Sequence, residues 1–316
     1  MKIIAATGRE DIAMVYLAEM REGKLVELVE SIQPPLPREK KWVLLVSTMF
    51  GCPVGCLMCD AGGHYQGKLT KDEMIEQVDF FVDQRFPGRQ VPCEQFKIQF
   101  ARMGEPALNM AVLDALEQLP LRIHAPGLMP SVSTVAPHGT DAFFDRLIDI
   151  KDRLYANGRF QFQFSIHTTD VNLRDKLIPV RKWTFDRMAA YGTRFLRPGD
   201  RKITLNFALA KGMPLKSEVL NRYFDPAHYL VKITPVNPTC QAVRNGLASY
   251  IDPYQRESCS DVVDHLAAAG YEVIVSIGEV IENQIGSNCG QYVLKYLENH
   301  VAIKNGYTYD VEHLRA

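Results

Sequence analysis

The sequence lacks the features that mark several large classes of protein. Its formal net charge is −1, so it has no overall basic field of the kind that nucleic-acid-binding proteins usually carry. The opening residues carry charges where the apolar core of a secretory signal would run. One stretch, from Trp42 to Cys59, is uncharged, but Gly51, Pro53 and Gly55 make it a poor membrane helix. We therefore expect a cytosolic protein that does not enter a membrane.

The cysteines of the sequence do not form a pattern that would indicate disulfides. The chain has seven cysteines, an odd number, and they are widely scattered outside one short loop. Without a secretory signal, this argues against a disulfide framework. Cys93, Cys240 and Cys259 are interpreted as buried or idle thiols, because cysteine packs as a small apolar residue. There is no second Cys-x-x-Cys pair, so we expect no second metal cluster.

What the sequence does contain is a regular alternation of short apolar runs and helical patterns. The runs are rich in β-branched and aromatic residues and cover residues 42–47, 95–100, 129–134, 159–167, 202–209, 229–236 and 271–277. Their spacing predicts βα units with a parallel sheet. Six such units fall short of the eight of a closed barrel. We therefore predict an α/β fold, an open partial (β/α)6 barrel.

The flanking segments predict the rest of the organisation. Residues 11–32 are typical of a two-stranded hairpin that turns at Glu22-Gly23, and a proline-rich, charged connector follows. Thr70 and Glu73 form a capping box that starts a helix. The predicted domains are an N-terminal β-hairpin and linker over 1–40, the partial barrel over 41–295, and a C-terminal helix or tail over 296–316.

Three cysteines, Cys52, Cys56 and Cys59, lie together in the stretch "GCPVGCLMCDAGG" after the first apolar run. With His64 as a fourth ligand, they could hold zinc. The Cys-x3-Cys-x2-Cys spacing can instead hold an iron–sulfur cluster with one iron left open. An open iron can chelate S-adenosylmethionine, and electron transfer into its sulfonium yields a 5′-deoxyadenosyl radical that a barrel cavity must shield. The cluster is the stronger interpretation, because paired Cys-x2-Cys motifs are the commoner zinc signature.

Further motifs give the chain a resemblance to the radical SAM superfamily and, within it, to the RNA adenine methyltransferases RlmN and Cfr. The resemblance runs from about Trp42 to Tyr292. It rests on "STMFGCPVGCLMC", "KLTKDEMIEQV", "ARMGEPALN", "SVST", "FSIHTTDVNLRDKLIPV", "TPVNP" and "NCGQ", in the family's order. It implies a methyltransferase that acts on an sp2 carbon, with RNA adenine as one candidate substrate. It further implies a 4Fe-4S cluster on Cys52, Cys56 and Cys59, S-adenosylmethionine as cofactor, and a flavodoxin- or ferredoxin-like electron donor.

The resemblance also implies roles for polar residues that follow the predicted strands, at the edge where barrel enzymes build their sites. Glu105, directly after Gly104, would accept hydrogen bonds from the ammonium group of the cofactor. Contacts to its ribose, carboxylate and adenine would come from Ser133, Ser165, Ile166, His167 and Asn237. Taken singly, these could instead be strand-end caps, a core histidine and a turn residue.

Two catalytic roles are implied as well. Cys289 would first receive a methyl group from one cofactor molecule. The radical made from a second molecule would then take a hydrogen from that S-methyl group, and the carbon radical would add to the substrate. A buried thiol in a C-terminal helix is the alternative for Cys289. Glu27 lines up with a glutamate that is the proton acceptor in the family, and a solvent-facing strand residue is its alternative.

Three departures from the family pattern leave open both how the covalent adduct is resolved and which substrate is methylated. Leu45 stands where the family has a second cysteine that helps to resolve the covalent adduct, and Cys240 could lie near the site instead. Met58 replaces the usual aromatic residue before the third cluster cysteine. The family's N-terminal helical domain has no counterpart in the sequence. A peptide, small metabolite or nucleotide precursor is therefore the alternative to RNA, and a non-catalytic zinc protein is the third interpretation.

Overall fold

A computed structural model describes residues 1–32, 34–278, 280–288, 292–293, 308–309 and 312–313. Cys289 and most of the C-terminal segment 296–316 lie outside the described residues. Within the described ranges, every helix is too short or too polar to cross a membrane.

One sheet of eleven strands forms the frame of the molecule, and a separate sheet of two strands lies beside it. The strands in chain order are β1 (Lys2–Arg9), β2 (Ala13–Glu19), β3 (Leu25–Ile32), β4 (Lys41–Val46), β5 (Met49–Phe50), β6 (Gly67–Lys68), β7 (Gln95–Phe100), β8 (Leu128–Thr134), β9 (Gln161–Ser165), β10 (Ile203–Leu209), β11 (Tyr229–Pro235), β12 (Glu272–Val275) and β13 (Glu312–His313). The large sheet has the order β12-β11-β10-β9-β8-β7-β4-β3-β2-β1-β13, and β5 pairs with β6.

The run of strands from β4 to β12 is parallel throughout. β4 pairs with β7, and β8, β9, β10, β11 and β12 follow in sequence order, each parallel to its neighbour. Parallel neighbours need a crossover of a dozen or more residues, which the helices supply. The seven apolar runs of the sequence are these seven strands, and the predicted open partial barrel is confirmed.

The α-helices lie between these strands along the chain, except the last one described, which follows β12. They are α1 (Lys71–Arg85), α2 (Ala111–Arg122), α3 (Asp141–Leu154), α4 (Val171–Leu177), α5 (Phe185–Phe195), α6 (Ser217–Tyr223), α7 (Cys240–Arg244), α8 (Ser260–Ala268) and α9 (Val280–Ile285). α1 begins at the predicted capping box. The Thr70 amide donates to the Glu73 carboxylate at 2.8 Å, and the Glu73 amide donates to the Thr70 hydroxyl at 3.2 Å.

The apolar core lies between the sheet and the helices. On β7, Phe96, Ile98 and Phe100 are buried on the helix side, where Phe96 stacks on Trp42 of β4 with ring centroids 4.7 Å apart. Burying one such side chain contributes about 1.5–3 kcal/mol to folding. Successive strand residues point to opposite faces, so the alternate residues face the concave interior of the partial barrel, called the lumen below.

The N-terminal strands continue the barrel sheet. β1 was not predicted; it pairs with β2, β2 pairs with β3, and β3 pairs antiparallel with β4. The turn between β2 and β3 lies at the predicted Glu22 and Gly23, which have φ values of 58° and 70°. In β1, a Cβ on Gly8 would lie 2.2 Å from the carbonyl oxygen of Ala13, so this strand passes its neighbour too closely for any side chain.

Candidate active site

The three predicted cluster cysteines lie in one loop, residues 51–63, called the cysteine loop. Its backbone is closed by hydrogen bonds from the Cys52 amide to the Ala61 carbonyl at 2.6 Å and from the Cys59 amide to the Cys56 carbonyl at 3.0 Å. All three cysteines are partly exposed. The loop therefore presents its thiols from a fixed backbone.

Glycines allow the cysteine loop to close. A Cβ on Gly62 would lie 2.8 Å from the Cα of Gly55, and a Cβ on Gly51 would lie 2.3 Å from the carbonyl oxygen of His64. Gly51 and Gly55 also have φ values of 74° and 68°, in the left-handed region that favours glycine. The sequence pattern "GCPVGC" therefore sets the path of the loop as well as the spacing of its thiols.

The thiols share one small volume with an apolar floor. Burial raises the pKa of Cys52 to about 11, and burial together with Cys59 and Cys52 raises the pKa of Cys56 well above its ordinary value. Cys52 and Cys56 pack against an apolar cluster formed by Val54, Val135, Leu177 and Ile178. Thiolates in such a setting need a strong positive partner, which the irons of a cluster supply. The donor set and its apolar floor fit an iron–sulfur cluster.

In the described part of the chain, no three His, Cys, Asp or Glu side chains are arranged to hold a single metal ion.

The start of α7 is tied to the cysteine loop. The Asp60 carboxylate accepts hydrogen bonds from the amides of Cys240 at 3.1 Å and Gln241 at 2.8 Å, and the Thr239 hydroxyl donates to the Met58 carbonyl at 2.8 Å. Sequence reasoning missed Asp60 and Thr239, although a threonine that precedes a helix is a recognisable capping signal. The contacts place the Cys240 backbone beside the loop.

The Arg-Asp-Lys-x-x-Pro run, residues 174–179, supports the loop from the other side. The Leu57 amide donates to the carbonyl of Leu177, at 2.9 Å. Arg174 is buried and donates to the Trp183 carbonyl, also at 2.9 Å. Lys182 donates to the Ile178 carbonyl at 2.9 Å. The run therefore has a structural role, because it holds in place Leu177 and Ile178, which pack against the cysteines.

Glu105 is buried in the loop that follows β7. The preceding residue, Gly104, has a φ of 101°. The Glu105 carboxylate accepts hydrogen bonds from the amides of Ala107 at 3.0 Å and Val135 at 2.9 Å, and from the Thr134 hydroxyl. Burial raises the pKa of Glu105 to about 7, and these three bonds oppose the rise. A carboxylate has about four acceptor positions, so one is left for a further donor such as an ammonium group.

Most of the other predicted cofactor residues lie at the carboxyl ends of neighbouring strands. Ser133 faces the lumen from β8, and Ser165 at the end of β9 pairs with Asn206 of β10. Ile166 is fully buried, and its amide donates to the Asn206 carbonyl at 2.9 Å. Asn237 follows the end of β11. The sheet therefore brings these residues to the same edge as Glu105.

His167 has a specific backbone and ring geometry at this edge. Its φ is 67°, and its ring Nδ1 accepts a hydrogen bond from the Ala208 amide at 3.0 Å. Burial lowers the pKa of His167 to about 4, and the nearby Arg174 contributes to the shift. The ring is therefore neutral at physiological pH, with its proton on Nε2, which makes that atom a donor.

The depressed pKa of His167 predicts a loss of stability in acid. The ordinary pKa is 6.5 and the folded value about 4, so the unfolded chain takes up the proton first. The contribution of the neutral His167 ring to the free energy of unfolding is complete above about pH 6.5. It amounts to at most about 3 kcal/mol and is lost as the pH falls through 4. Urea unfolding between pH 7 and pH 4 should show a smaller loss in His167→Asn, since asparagine tolerates the positive φ. The exposed His138→Asn is the control, and equal pH profiles for the two variants would contradict the assignment.

Glu27 is buried, not solvent-facing, with 0 % of its surface exposed. It accepts two hydrogen bonds from Arg102, at 2.6 and 3.1 Å, and one from the Val293 amide at 2.6 Å. Arg102 also donates to the carbonyls of Gly286 and Ser287, both at 2.9 Å. Burial raises the pKa of Glu27, while Arg102 and the Val293 amide oppose the rise. The pair thus holds the chain on both sides of residues 289–291.

Cys289 itself lies outside the described residues, and only its flanks are placed. A pocket beside Val293 is lined by Leu25 at the start of β3, by Phe50 of β5, and by Gly51, Asp60 and Ala61 of the cysteine loop. Leu45, at the position of the family's second cysteine, is half-buried on β4 and pairs with Val29.

Comparisons with known proteins agree with this geometry. A curated "Probable dual-specificity RNA methyltransferase RlmN" from Trichormus variabilis is 27% identical over 238 residues, which cover 72% of this chain and 60% of that protein. A protein of the same name from Nostoc punctiforme is 28% identical over 244 residues, covering 72% and 61%. The chain thus spans about three fifths of the length of these curated relatives. No family model matches it.

Among solved structures, a radical SAM methyltransferase from Sphaerobacter thermophilus superposes with a TM-score of 0.67 at 20% identity. The match covers 90% of this chain and 80% of that one. At this identity the match shows the fold. The resemblance to RlmN-type radical SAM methyltransferases that the motifs indicate is confirmed by the curated relatives.

Proposed function

We propose that the protein is a cytosolic radical SAM methyltransferase that methylates an sp2 carbon through Cys289. The observation that carries the proposal is the cysteine loop, in which Cys52 and Cys56 pack on one apolar cluster and the nearby Cys59 contributes to the raised pKa of Cys56. Cys52, Cys56 and Cys59 would hold a 4Fe-4S cluster, which supplies an electron to S-adenosylmethionine from a flavodoxin- or ferredoxin-like donor.

The chain's own residues would bind and orient the cofactor. The remaining acceptor position of Glu105 suits the cofactor's ammonium group, because the other positions are already filled by Thr134, Val135 and Ala107. The Nε2 proton of His167 is a fixed donor, since its Nδ1 is held by the Ala208 amide. Ser133, Ser165, Ile166 and Asn237 complete the proposed set, together with Gly104 beside Glu105.

Cys289 is the proposed methyl carrier. Its thiolate would attack the methyl carbon of S-adenosylmethionine, forming a carbon–sulfur bond and releasing S-adenosylhomocysteine. Glu27 remains the proposed proton acceptor. Its contacts support a second role: together with Arg102 it holds Gly286, Ser287 and Val293, the placed neighbours of Cys289.

Two substrate classes are candidates. The names of the curated relatives favour RNA, and the resemblance of the motifs makes adenine the candidate base. The polar lumen of this chain favours a small molecule.

Intact-protein mass spectrometry tests the methyl-carrier role. Protein expressed with its cluster is expected to carry one added methyl group, about 14 Da, that peptide mapping assigns to Cys289. The Cys289→Ala variant should lack the added mass, whereas the control Cys259→Ala should keep it, because Cys259 is buried outside the site. Active enzyme with an unmethylated Cys289, or full product formation by Cys289→Ala, would contradict the proposal.

A further inference from the structure

The lumen is lined by polar side chains, whereas the interior of a closed βα barrel is filled with bulky apolar ones. In β7 and β9, the apolar residues of "QFKIQF" and "QFQFS" are buried on the helix side and the polar residues alternate with them. The polar lumen residues that matter here are Gln95, Lys97, Gln99, Gln163, Asn206 and Lys232. No lumen-facing position on β4 or on β7 to β11, all of them described strands, is an aspartate or glutamate.

Two lysines face this lumen from different strands. Lys97 of β7 and Lys232 of β11 lie on the same face of the sheet, with β8, β9 and β10 between them. The sheet is curved into a partial barrel, and the positive charge of Lys232 contributes to lowering the pKa of Lys97. Lys41 at the start of β4 and the exposed Arg201 before β10 contribute to the same shift.

Lys97 lies where a bound anion would stabilise its positive charge. Lys97 is half-buried, and within the described ranges Arg89 and Arg102 form ion pairs whereas Lys97 forms none. Burial, followed by Lys232, Lys41 and Arg201, lowers the pKa of Lys97 to about 7. Burying an ammonium group without a counterion costs free energy, which an anion beside it would offset. Glu272 on β12, the strand beside β11, lies 3.8 Å from Lys202 and so pairs with a different lysine.

We infer that the lumen binds the anionic end of a small heteroaromatic substrate, with Lys97 as the principal contact to its phosphate or carboxylate group. Lys97 lies three residues before the end of β7, about 10 Å from the edge of the sheet. That distance suits a molecule whose anion lies at Lys97 and whose reacting carbon reaches the edge at Glu105. Gln99, Gln163 and Asn206 supply amide donors and acceptors for a planar ring. The chemistry at that carbon rests on the proposed function.

A terminal phosphate or carboxylate fits the position beside Lys97 better than an internal phosphodiester of a polymer does. An internal phosphodiester has chain on both sides, and both would have to pass through the lumen to place it at Lys97. A phosphate monoester or a carboxylate has one attachment and can enter with its anion first. RNA is therefore the alternative that the experiment must be able to reveal.

Calorimetric titration of the full chain with its reconstituted cluster tests the inference. The probes are inorganic phosphate and benzoate, which contain no adenine and so do not compete for a nucleoside site. Saturable binding of phosphate would indicate a phosphate monoester as substrate, and saturable binding of benzoate would indicate an aromatic carboxylate. Lys97→Met should weaken that binding at least tenfold, and Lys97→Arg should retain most of it. The exposed neighbour Lys40→Met is the matched control and should bind as the parent does.

The melting temperature separates a binding defect from misfolding. Lys97→Met removes an ammonium group without a carboxylate partner, so the variant is expected to melt at or above the temperature of the parent. The inference is overturned if neither probe binds saturably, or if folded Lys97→Met binds as tightly as Lys40→Met. Methylation of an adenine-containing RNA at a rate unchanged by Lys97→Met would overturn it in favour of RNA.

Methylation of Cys289 is measured separately and does not need the substrate. If Cys289 is methylated but no probe binds, this inference fails while the proposed function stands. If a probe binds through Lys97 but Cys289 is never methylated, the proposed methyl transfer fails while the anion site stands.

Discussion

Replacing Cys52, Cys56 or Cys59 with alanine is expected to reduce the reductive cleavage of S-adenosylmethionine to background. Each thiolate would hold one iron of the cluster, and the apolar floor of the loop offers no ligand that could take its place. After anaerobic reconstitution and chemical reduction, 5′-deoxyadenosine is measured by chromatography, and iron content is measured in the same samples. Cys93→Ala, a buried thiol elsewhere, is the control and should react as the parent does. An alanine variant that makes 5′-deoxyadenosine at the parent rate would refute the assignment.

The same samples test the zinc alternative through His64. A zinc site would need His64 as its fourth ligand, so His64→Ala should then lose the metal. A cluster held by Cys52, Cys56 and Cys59 does not need it, and His64→Ala should retain both iron and the brown colour. Zinc in place of iron in anaerobically purified protein would make the loop a structural metal site.

The parts of the fold that depend on local pattern could be predicted from the sequence. The strands follow from short apolar runs at regular spacing, and α1 follows from the capping box of Thr70 and Glu73. β1 was missed because Gly8 interrupts the apolar pattern, where the close approach of Ala13 requires a glycine. The alternation in "QFKIQF" was visible, but its meaning depends on the curvature of a sheet that brings Lys97 near Lys232.

The site could be predicted only where its residues are close together in the sequence. The cysteine loop is one segment, so its motif was sufficient to predict that the three thiols lie together. The ion pair of Glu27 and Arg102 joins residues 75 positions apart, and its bonds to Gly286 and Ser287 span a further 184 and 185 positions. The sequence around Glu27 does not show whether this residue is buried beside an arginine or exposed on a strand, because a polar residue in a strand pattern fits both.

Breaking the buried pair of Arg102 and Glu27 is expected to cause a large loss of stability. The side chains of Arg102 and Glu27 are 2% and 0% exposed. Arg102→Met would leave the Glu27 carboxylate buried without its counterion, at a cost of about 3–5 kcal/mol in the free energy of unfolding. Equilibrium unfolding in urea at pH 7 measures this loss. The double variant Arg102→Met with Glu27→Leu should recover much of it, because an apolar pair of similar volume carries no buried charge.

A surface pair provides the matched control for this prediction. Arg194 and Asp145 lie 2.6 Å apart with side chains 62% and 56% exposed, so Arg194→Met should cost less than about 1 kcal/mol. Because Arg102 and Glu27 also hold Gly286, Ser287 and Val293, Arg102→Met should increase hydrogen exchange in the peptide that contains them under conditions where the rest of the chain is still folded. Methylation of Cys289 should then decrease while the cluster absorbance is retained. If Arg102→Met costs no more than Arg194→Met, or if the double variant is as unstable as the single one, the pair is not a buried anchor and the position of Cys289 depends on other contacts.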